Sequence, residues 1–361
     1  MTARILGIGT ALPRESMAQH EAAEVAVGLS CRTPLQSERL RRLYRLCGVE
    51  SRRSVLLEPR KNGGPSQTFL RPPADESDGG PTIQERMQAY ATHAPRLATE
   101  AAQKALADAG VPPADITHLV TVSCTGFFAP GLDCCLIDSL GLPGTTARIQ
   151  VGFMGCNGAL NGLRVAQALV GSDPHATVLL CAVEICSLHY AYAWHPERAV
   201  ANALFADGAA ALVLGAETPR QGWSLQGQAS VLIPETRVLM SWEIADHGFL
   251  MGLSPKLPEV IRREIPGWLA GWLATHGLTV ETVQSWAVHP GGPRILAGVA
   301  DSLGLGPEAL RTSREVIAEL GNMSSPTVLF VLERLRARQA PTPCVALAFG
   351  PGIVAEAALF A

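Results

Sequence analysis

Charge is scarce in this 361-residue chain: only 17% of residues are Asp, Glu, Lys or Arg, and the formal net charge is −3. That balance leaves no basic face for a nucleic acid, which needs one to displace counterions from phosphates. A few local arginines could still meet the phosphates of a small molecule. No run of 18 or more uninterrupted apolar residues occurs, so no membrane span or stable membrane insertion is expected. Residues Met1–Thr10 lack the apolar core and cleavage site of a signal peptide and read as a first β-strand. The nine cysteines include no C-x-x-C pair, and the adjacent Cys134 and Cys135 are badly placed for a mutual disulfide. Packed thiols in a reducing cytoplasm are therefore expected. No His, Cys and carboxylate group has metal-ligand spacing, so no metal is expected. The G-x-G at Gly7–Gly9 lacks the rest of a dinucleotide fingerprint.

What is abundant points elsewhere. Hydrophobic residues make up 47%, with 35 Gly and 26 Pro, which suits a densely packed α/β enzyme and not a disordered or coiled-coil protein. The length favours two domains or one large one. Residues 20–47 read as helical, and Gly48 to Leu57 carries arginines into a polar excursion over Glu58–Pro81. Ile83–Ala109 has apolar residues at helical spacing and stops at Gly110. Strands are expected at His118–Ser123, Ala147–Phe153 and Thr177–Val183, with helices near Gly131–Leu140 and Ala159–Val170. Leu204–Leu214 reads as a hairpin turning at Asp207-Gly208. The second half repeats the order: a helix Pro258–His276, a strand Ser285–His289, a helix Arg294–Leu303, and a helix from near Asn322 to Ala337. A closing hairpin joins Cys344–Phe349 to Ile353–Phe360. Two matching halves suggest a duplication, 1–218 and 219–361, with the boundary near Thr218–Gly222.

Three residues stand where chemistry is built. Cys156 follows a strand, within Gly-Cys-Asn-Gly, at the start of a helix whose dipole favours a thiolate; a packed thiol is an equal reading. His289 ends a strand before a Gly-Gly turn, the end of an α/β sheet where sites form; a core histidine is the plain alternative. Asn322 stands at an expected helix start, where it could be an ordinary N-cap. Taken together they make a nucleophile, a base and an amide donor.

Cys156 in GCNG, His289 in HPGGP and Asn322 in GNMSS resemble the corresponding motifs of chalcone-synthase-like (type III) polyketide synthases. Leu204–Ala210 (LFADGAA), Ala348–Gly352 (AFGPG), and Cys124-Thr125-Gly126 leading to Pro130-Gly131 also match, in the family's order, across residues 5–361. The resemblance implies an α/β, thiolase-like five-layered αβαβα fold of two duplicated halves, the first carrying the cysteine and the second the His and Asn. It also implies a homodimer that extends an acyl-CoA starter with malonyl-CoA by iterative decarboxylative condensation and then cyclises the product. No cofactor is implied, the CoA thioesters being substrates. Cys156 would carry the acyl chain, its thiol pKa lowered by the helix dipole and a His289 imidazolium. His289 and Asn322 would donate to the enolate oxygen.

Further positions follow from the same resemblance. Phe205 matches an aromatic gate between the CoA tunnel and the cavity, and Met251 stands where the family often has a second gating Phe. Cys124, Thr125, Cys186, His189, Trp242 and Ser324 fall on cavity-lining positions, with His189 and Trp242 larger than the usual residues. Ala129 matches the residue that reaches across the dimer. Arg52 and Arg53 lie close to where the family binds CoA phosphates, although a solvated basic face is an equal reading. Cys186-Ser187-Leu188-His189 resembles microbial members that take fatty acyl starters and make alkylresorcinols or alkylpyrones. Two alternatives stay open: a single-condensation ketoacyl synthase III-like enzyme or CoA acyltransferase, and a non-catalytic scaffold of the same fold, which the retained Cys, His and Asn argue against.

Overall fold

The computed structural model describes residues 2–59, 66–216 and 223–361, so the expected boundary at Thr218–Gly222 lies outside the described residues. In chain order the first half contains β1 (Ala3–Ala11), β2 (Ser16–Ala18), α1 (Gln19–Ser30), α2 (Pro34–Leu46), β3 (Ser51–Arg53), α3 (Ile83–Ala109), β4 (His118–Ser123), α4 (Leu132–Leu140), β5 (Ala147–Gly152), α5 (Gly158–Ser172), β6 (Val178–Ile185), α6 (Pro196–Leu204) and β7 (Asp207–Ala216). The second contains β8 (Ser224–Leu232), β9 (Met240–Ala245), β10 (Gly248–Leu253), α7 (Leu257–Ala274), β11 (Ser285–Val288), α8 (Pro293–Leu303), α9 (Arg311–Leu320), α10 (Thr327–Ala337), β12 (Cys344–Gly350) and β13 (Val354–Phe360).

Strands covered on both faces need apolar side chains at every position, not at alternate ones. β6 and β12 read that way, and their two faces reveal the layers. Val178, Leu180 and Ala182 pack with α5 and α10, whereas Leu179, Cys181 and Val183 pack with α3 and α4. In β12, Cys344, Ala346 and Ala348 meet the same central helices, while Val345, Leu347 and Phe349 meet α7 and α8. Helix, sheet, helix, sheet, helix: this is the five-layered thiolase-like arrangement. The strands run in the order β11-β12-β13-β8-β1-β7-β6-β4-β5, the halves joining where Ala3 and Arg4 of β1 pair with Leu225 and Ser224 of β8.

The duplication is visible in strand direction. β4 is parallel to β6, which is antiparallel to β7; β11 is parallel to β12, which is antiparallel to β13. The closing hairpin β12–β13 therefore corresponds to β6–β7, and no hairpin exists at Leu204–Leu214. Asp207 is not a turn residue: its buried carboxylate accepts from the Ser187 N–H (2.8 Å), the Val55 N–H (2.9 Å) and the Ser187 hydroxyl (2.6 Å). Gly208 is already in β7, where a Cβ would lie 2.4 Å from the Met323 sulfur. Between β6 and β7 the first half inserts Cys186–Ala206, and this insertion carries part of the site.

Two more expectations change. The single helix over 20–47 is two, because Thr33 caps α2 by accepting from the Gln36 N–H (3.3 Å) and Pro34 takes its first position. Asn322 caps no helix: α10 begins at Thr327, and Asn322 instead bridges to Phe205. All nine cysteines are free.

Candidate active site

Two cavities meet at the centre of the molecule. The outer one is lined by Leu46, Pro255, Gly291, Arg294, His289 and Asn322, among others. The inner one, with an empty volume of about 1200 Å³ including its mouth, runs past Cys124, Thr125, Cys186, His189, Trp242 and Ser324. Cys156, Phe205, Met240 and Met251 belong to both walls. Phe205 and Met251 thus stand at the passage between the two cavities, beside the cysteine.

β5 leads to Cys156 through a strained turn. Phe153 and Gly155 have φ of 55° and 81°, a single 3-10 turn covers Gly155–Asn157, and α5 starts at Gly158. A Cβ on Gly155 would lie 2.2 Å from Pro351, and one on Gly350 would lie 2.4 Å from Asn157 Oδ1. The GCNG and AFGPG motifs therefore fit only against each other. The Ser324 hydroxyl donates to Cys156 Sγ at 3.5 Å, and Ser324 holds an unusual φ of 56° while its N–H donates to Asn322 Oδ1 at 2.8 Å. That bond turns the Asn322 amide nitrogen toward the sulfur.

The electrostatics differ from the expected imidazolium–thiolate pair. Burial pushes the Cys156 thiol up to about 11; the Ser324 hydroxyl works against that rise, Glu184 adds to it, and the Asn322 amide opposes it. Burial also holds His289 down at about 3. Burial thus favours the neutral thiol and the neutral imidazole alike. The His289 backbone is fixed by its N–H donating to Leu347 O (2.8 Å), and neither ring nitrogen has a partner among the described residues.

The inner wall is rigid where the sequence suggested bulk. His189 Nε2 donates to Thr125 O (2.6 Å), its Nδ1 accepts from the Phe249 N–H (3.0 Å), and its ring stacks on Phe249 at 4.2 Å. Burial lowers its pKa to about 3, so it is a neutral wall group. Trp242 donates from Nε1 to Cys124 O at 2.8 Å. The Cys124 sulfur accepts from the Gly155 N–H at 3.1 Å, and burial raises this thiol well above its ordinary value.

Sequence reasoning passed over Glu184 and Met240. The fully buried Glu184 carboxylate accepts from the Cys124 N–H (2.9 Å), the Thr125 hydroxyl (2.7 Å) and the Ser325 hydroxyl (2.7 Å), tying β6 to the loops after β4 and before α10. Its signal was a lone carboxylate in the apolar strand VLLCAVEI. Arg52 and Arg53, the residues proposed for CoA phosphates, both donate to groups of the protein itself. Arg52 points inward, donating to Gln19 Oε1 (3.1 Å), Asn202 O (2.7 Å), Phe205 O (3.2 Å) and Ala203 O. Arg53 donates to Pro13 O (2.9 Å) and Arg14 O (2.6 Å).

A cysteine, a histidine and an asparagine on a divided cavity in this fold define a condensing acyltransferase. Residues 1–218 match the model for the N-terminal domain of chalcone and stilbene synthases, and residues 224–361 match that for the C-terminal domain. The chain belongs to this family and is a type III polyketide synthase. It is 36% identical over 360 residues to a 1,3,6,8-tetrahydroxynaphthalene synthase of Streptomyces peucetius subsp. caesius, covering 98% of this chain and 91% of that one. It is 33% identical over 365 residues to an alpha-pyrone synthesis polyketide synthase-like protein of Mycobacterium tuberculosis, covering 99% and 90%. The crystal structure of PKS-I from the brown alga Ectocarpus siliculosus superimposes with a TM-score of 0.92 at 33% identity, covering 99% of this chain and 98% of that one.

Proposed function

We propose that the enzyme loads a long-chain acyl-CoA onto Cys156, extends it with malonyl-CoA and releases an alkylpyrone or alkylresorcinol. The observation that carries this reading is the inner cavity, which continues beyond Cys124 and Cys186 beneath α1, lined by Ala22, Val25, Ala26, Leu29, Leu56 and Leu70. An apolar chamber of this kind stabilises a saturated chain by roughly 0.8 kcal/mol per buried methylene.

In the loading step the Cys156 proton passes to His289 as sulfur attacks the starter's carbonyl; the C–S bond to CoA breaks, and the CoA thiolate takes the proton. Transfer between two neutral neighbours creates opposite charges side by side, which costs less than isolating either one. Malonyl-CoA then loses CO2, and its electron pair becomes an enolate. A neutral imidazole keeps one N–H, so His289 and the Asn322 amide donate to that oxygen, each donor being worth about 3 kcal/mol of barrier. The carbanion attacks the acyl-Cys carbonyl, the C–S bond breaks, and Cys156 leaves as a thiolate that takes up a proton from solvent. The extended chain, now a CoA thioester, loads back onto Cys156 for the next round. The bound substrates are CoA thioesters, and no cofactor enters the scheme. Exposed Arg42 and Arg45 flank the outer cavity on α2, and Arg294 lines it, which suits the CoA phosphates.

The proposal includes a homodimer. β5 is an edge strand, and Phe127, Phe153 and Met154 beside it are 49%, 41% and 48% exposed, an apolar patch next to exposed Ala129. It also includes the cytoplasm, where nine free thiols would stay reduced. No described helix is long and apolar enough to cross a membrane.

The test incubates the enzyme with malonyl-CoA and a series of short to long acyl-CoAs, reading products by mass spectrometry and CO2 separately. Several C2 additions to long starters, with Cys156→Ala releasing CO2 but elongating nothing, is the expected result. A single addition would favour the one-step condensing enzyme, and elongation by Cys156→Ala would refute the assignment of the nucleophile.

A further inference from the structure

Arg52 is an inward-facing cation that, among the described residues, donates to an amide oxygen and backbone carbonyls and to no carboxylate. Its nitrogens are spent on the end of α6: Nη1 donates to Asn202 O (2.7 Å) and Phe205 O (3.2 Å), Nη2 to Ala203 O, and Nε to Gln19 Oε1 (3.1 Å). The last carbonyls of a helix have no partner within it, and a cation there also meets the negative end of the dipole. α6 ends at Leu204 without a glycine, in the extended residue Phe205, so Arg52 takes the place of a backbone C-cap. The guanidinium is itself held in place. Tyr44 lies under it at 5.4 Å, and Gln19, while accepting from it, donates from Nε2 to Ala203 O and to Cys47 Sγ, both at 2.9 Å.

The residues so fixed are the passage between the cavities. The same segment is also held by Asn322, whose N–H donates to Leu204 O and whose O accepts from the Ala206 N–H, both at 2.8 Å. Three consecutive residues, Leu204 to Ala206, are therefore held by the guanidinium at Phe205 O and by the Asn322 backbone at Leu204 O and the Ala206 N–H. Resting on the reading of Phe205 as the gate and Asn322 as an enolate donor, we propose that Arg52 is a positioning residue that sets both together. A planar fork reaching three carbonyls does this; an ammonium, with compact and rotating donors, does not. When the clamp slackens, malonyl-CoA still enters and decarboxylates, but its carbanion no longer meets the acyl-Cys in register.

The measurement is CO2 released from malonyl-CoA per C2 unit incorporated, with kcat, KM and Tm, in Arg52→Lys and Arg52→Met of the full-length enzyme. The expected result is a ratio raised about tenfold in Arg52→Met, in keeping with the sensitivity of condensation to sub-ångström displacement, and partly restored in Arg52→Lys. Gln19→Leu, which loosens the guanidinium without removing it, should shift the ratio the same way and serves if Arg52→Met does not fold. Decarboxylation and elongation falling in proportion, with the ratio unchanged, would mean a merely structural arginine and overturn the proposal. So would a selective, salt-dependent rise in KM for both CoA substrates, which would mark a phosphate contact. The gate reading fails separately: Phe205→Ala would then leave product length and the ratio as they are in the parent enzyme.

Discussion

The Cys156 thiol and the His289 imidazole line one cavity, and burial favours the neutral form of each, pushing the thiol up to about 11 and the imidazole down to about 3. The helix end behind Cys156 is present, but a single dipole does not offset complete burial. Alkylation by iodoacetamide, which attacks the thiolate, should therefore be slow at neutral pH and keep accelerating to pH 10. A plateau reached below about pH 8 would show an ion pair already formed at rest. Ser324→Ala removes one donor to the sulfur; a neutral hydrogen bond of about 1 kcal/mol predicts roughly fivefold slower acylation in single-turnover experiments. An unchanged acylation rate would exclude any role for that hydroxyl. The Cys, His and Asn were legible because each sits in a short motif at an element's end. The ionisation of the pair was not, because it depends on how much water the fold removes, and no spacing encodes that.

α1 presents Ala22, Val25, Ala26 and Leu29 to the inner cavity, an i, i+3, i+4, i+7 stripe. In most globular proteins that stripe would meet another element; here part of it faces a chamber. Ala26, at 1% exposure, sits in the middle. Ala26→Phe should shift the preferred acyl-CoA toward shorter chains, lowering kcat/KM for long starters about a hundredfold while sparing short ones, given roughly 0.8 kcal/mol for each displaced methylene. Equal loss on all chain lengths would put the acyl chain elsewhere. Most elements could be read from periodicity, including α3 with its stop at Gly110 and the apolar β4, β6 and β12. The ribbon β9–β10 escaped notice because MSWEIA and GFLMGL lack clear alternation and the connecting Asp246-His247 is not a usual two-residue hairpin pair. Asp207-Gly208 looked like a turn because that dipeptide is a turn signal, yet tertiary contacts made the aspartate a buried acceptor. The inward turn of Arg52 was not legible for a similar reason, since a basic pair near a polar loop carries no mark of which way it points.

The five layers leave the site at the meeting of the two halves, where burial is deepest, and that has a consequence for the molecule's stability toward acid. His189 and His289 are both neutral in the folded state, with pKa values near 3 against an ordinary 6.5. The unfolded chain binds their protons first, so the stabilisation is whole above about pH 6.5 and shrinks as pH falls toward 3. At pH 5 each histidine costs about 2 kcal/mol relative to neutral pH. The buried carboxyls Glu184 and Asp207 act in the opposite sense, because burial raises their pKa and their folded forms take up protons earlier. A bare Tm–pH curve mixes these contributions, whereas the difference between parent and His189→Gln cancels the carboxyls. Glutamine can donate to Thr125 O and accept from the Phe249 N–H as the imidazole does, without titrating. The variant should lose stability at neutral pH through poorer stacking on Phe249, yet fall less steeply between pH 7 and pH 5, so that the two Tm curves converge on the acid side. Curves that stay parallel across that range would mean that His189 is hydrated and charged in the folded enzyme, and the inner wall would then be open to water where an acyl chain is supposed to lie.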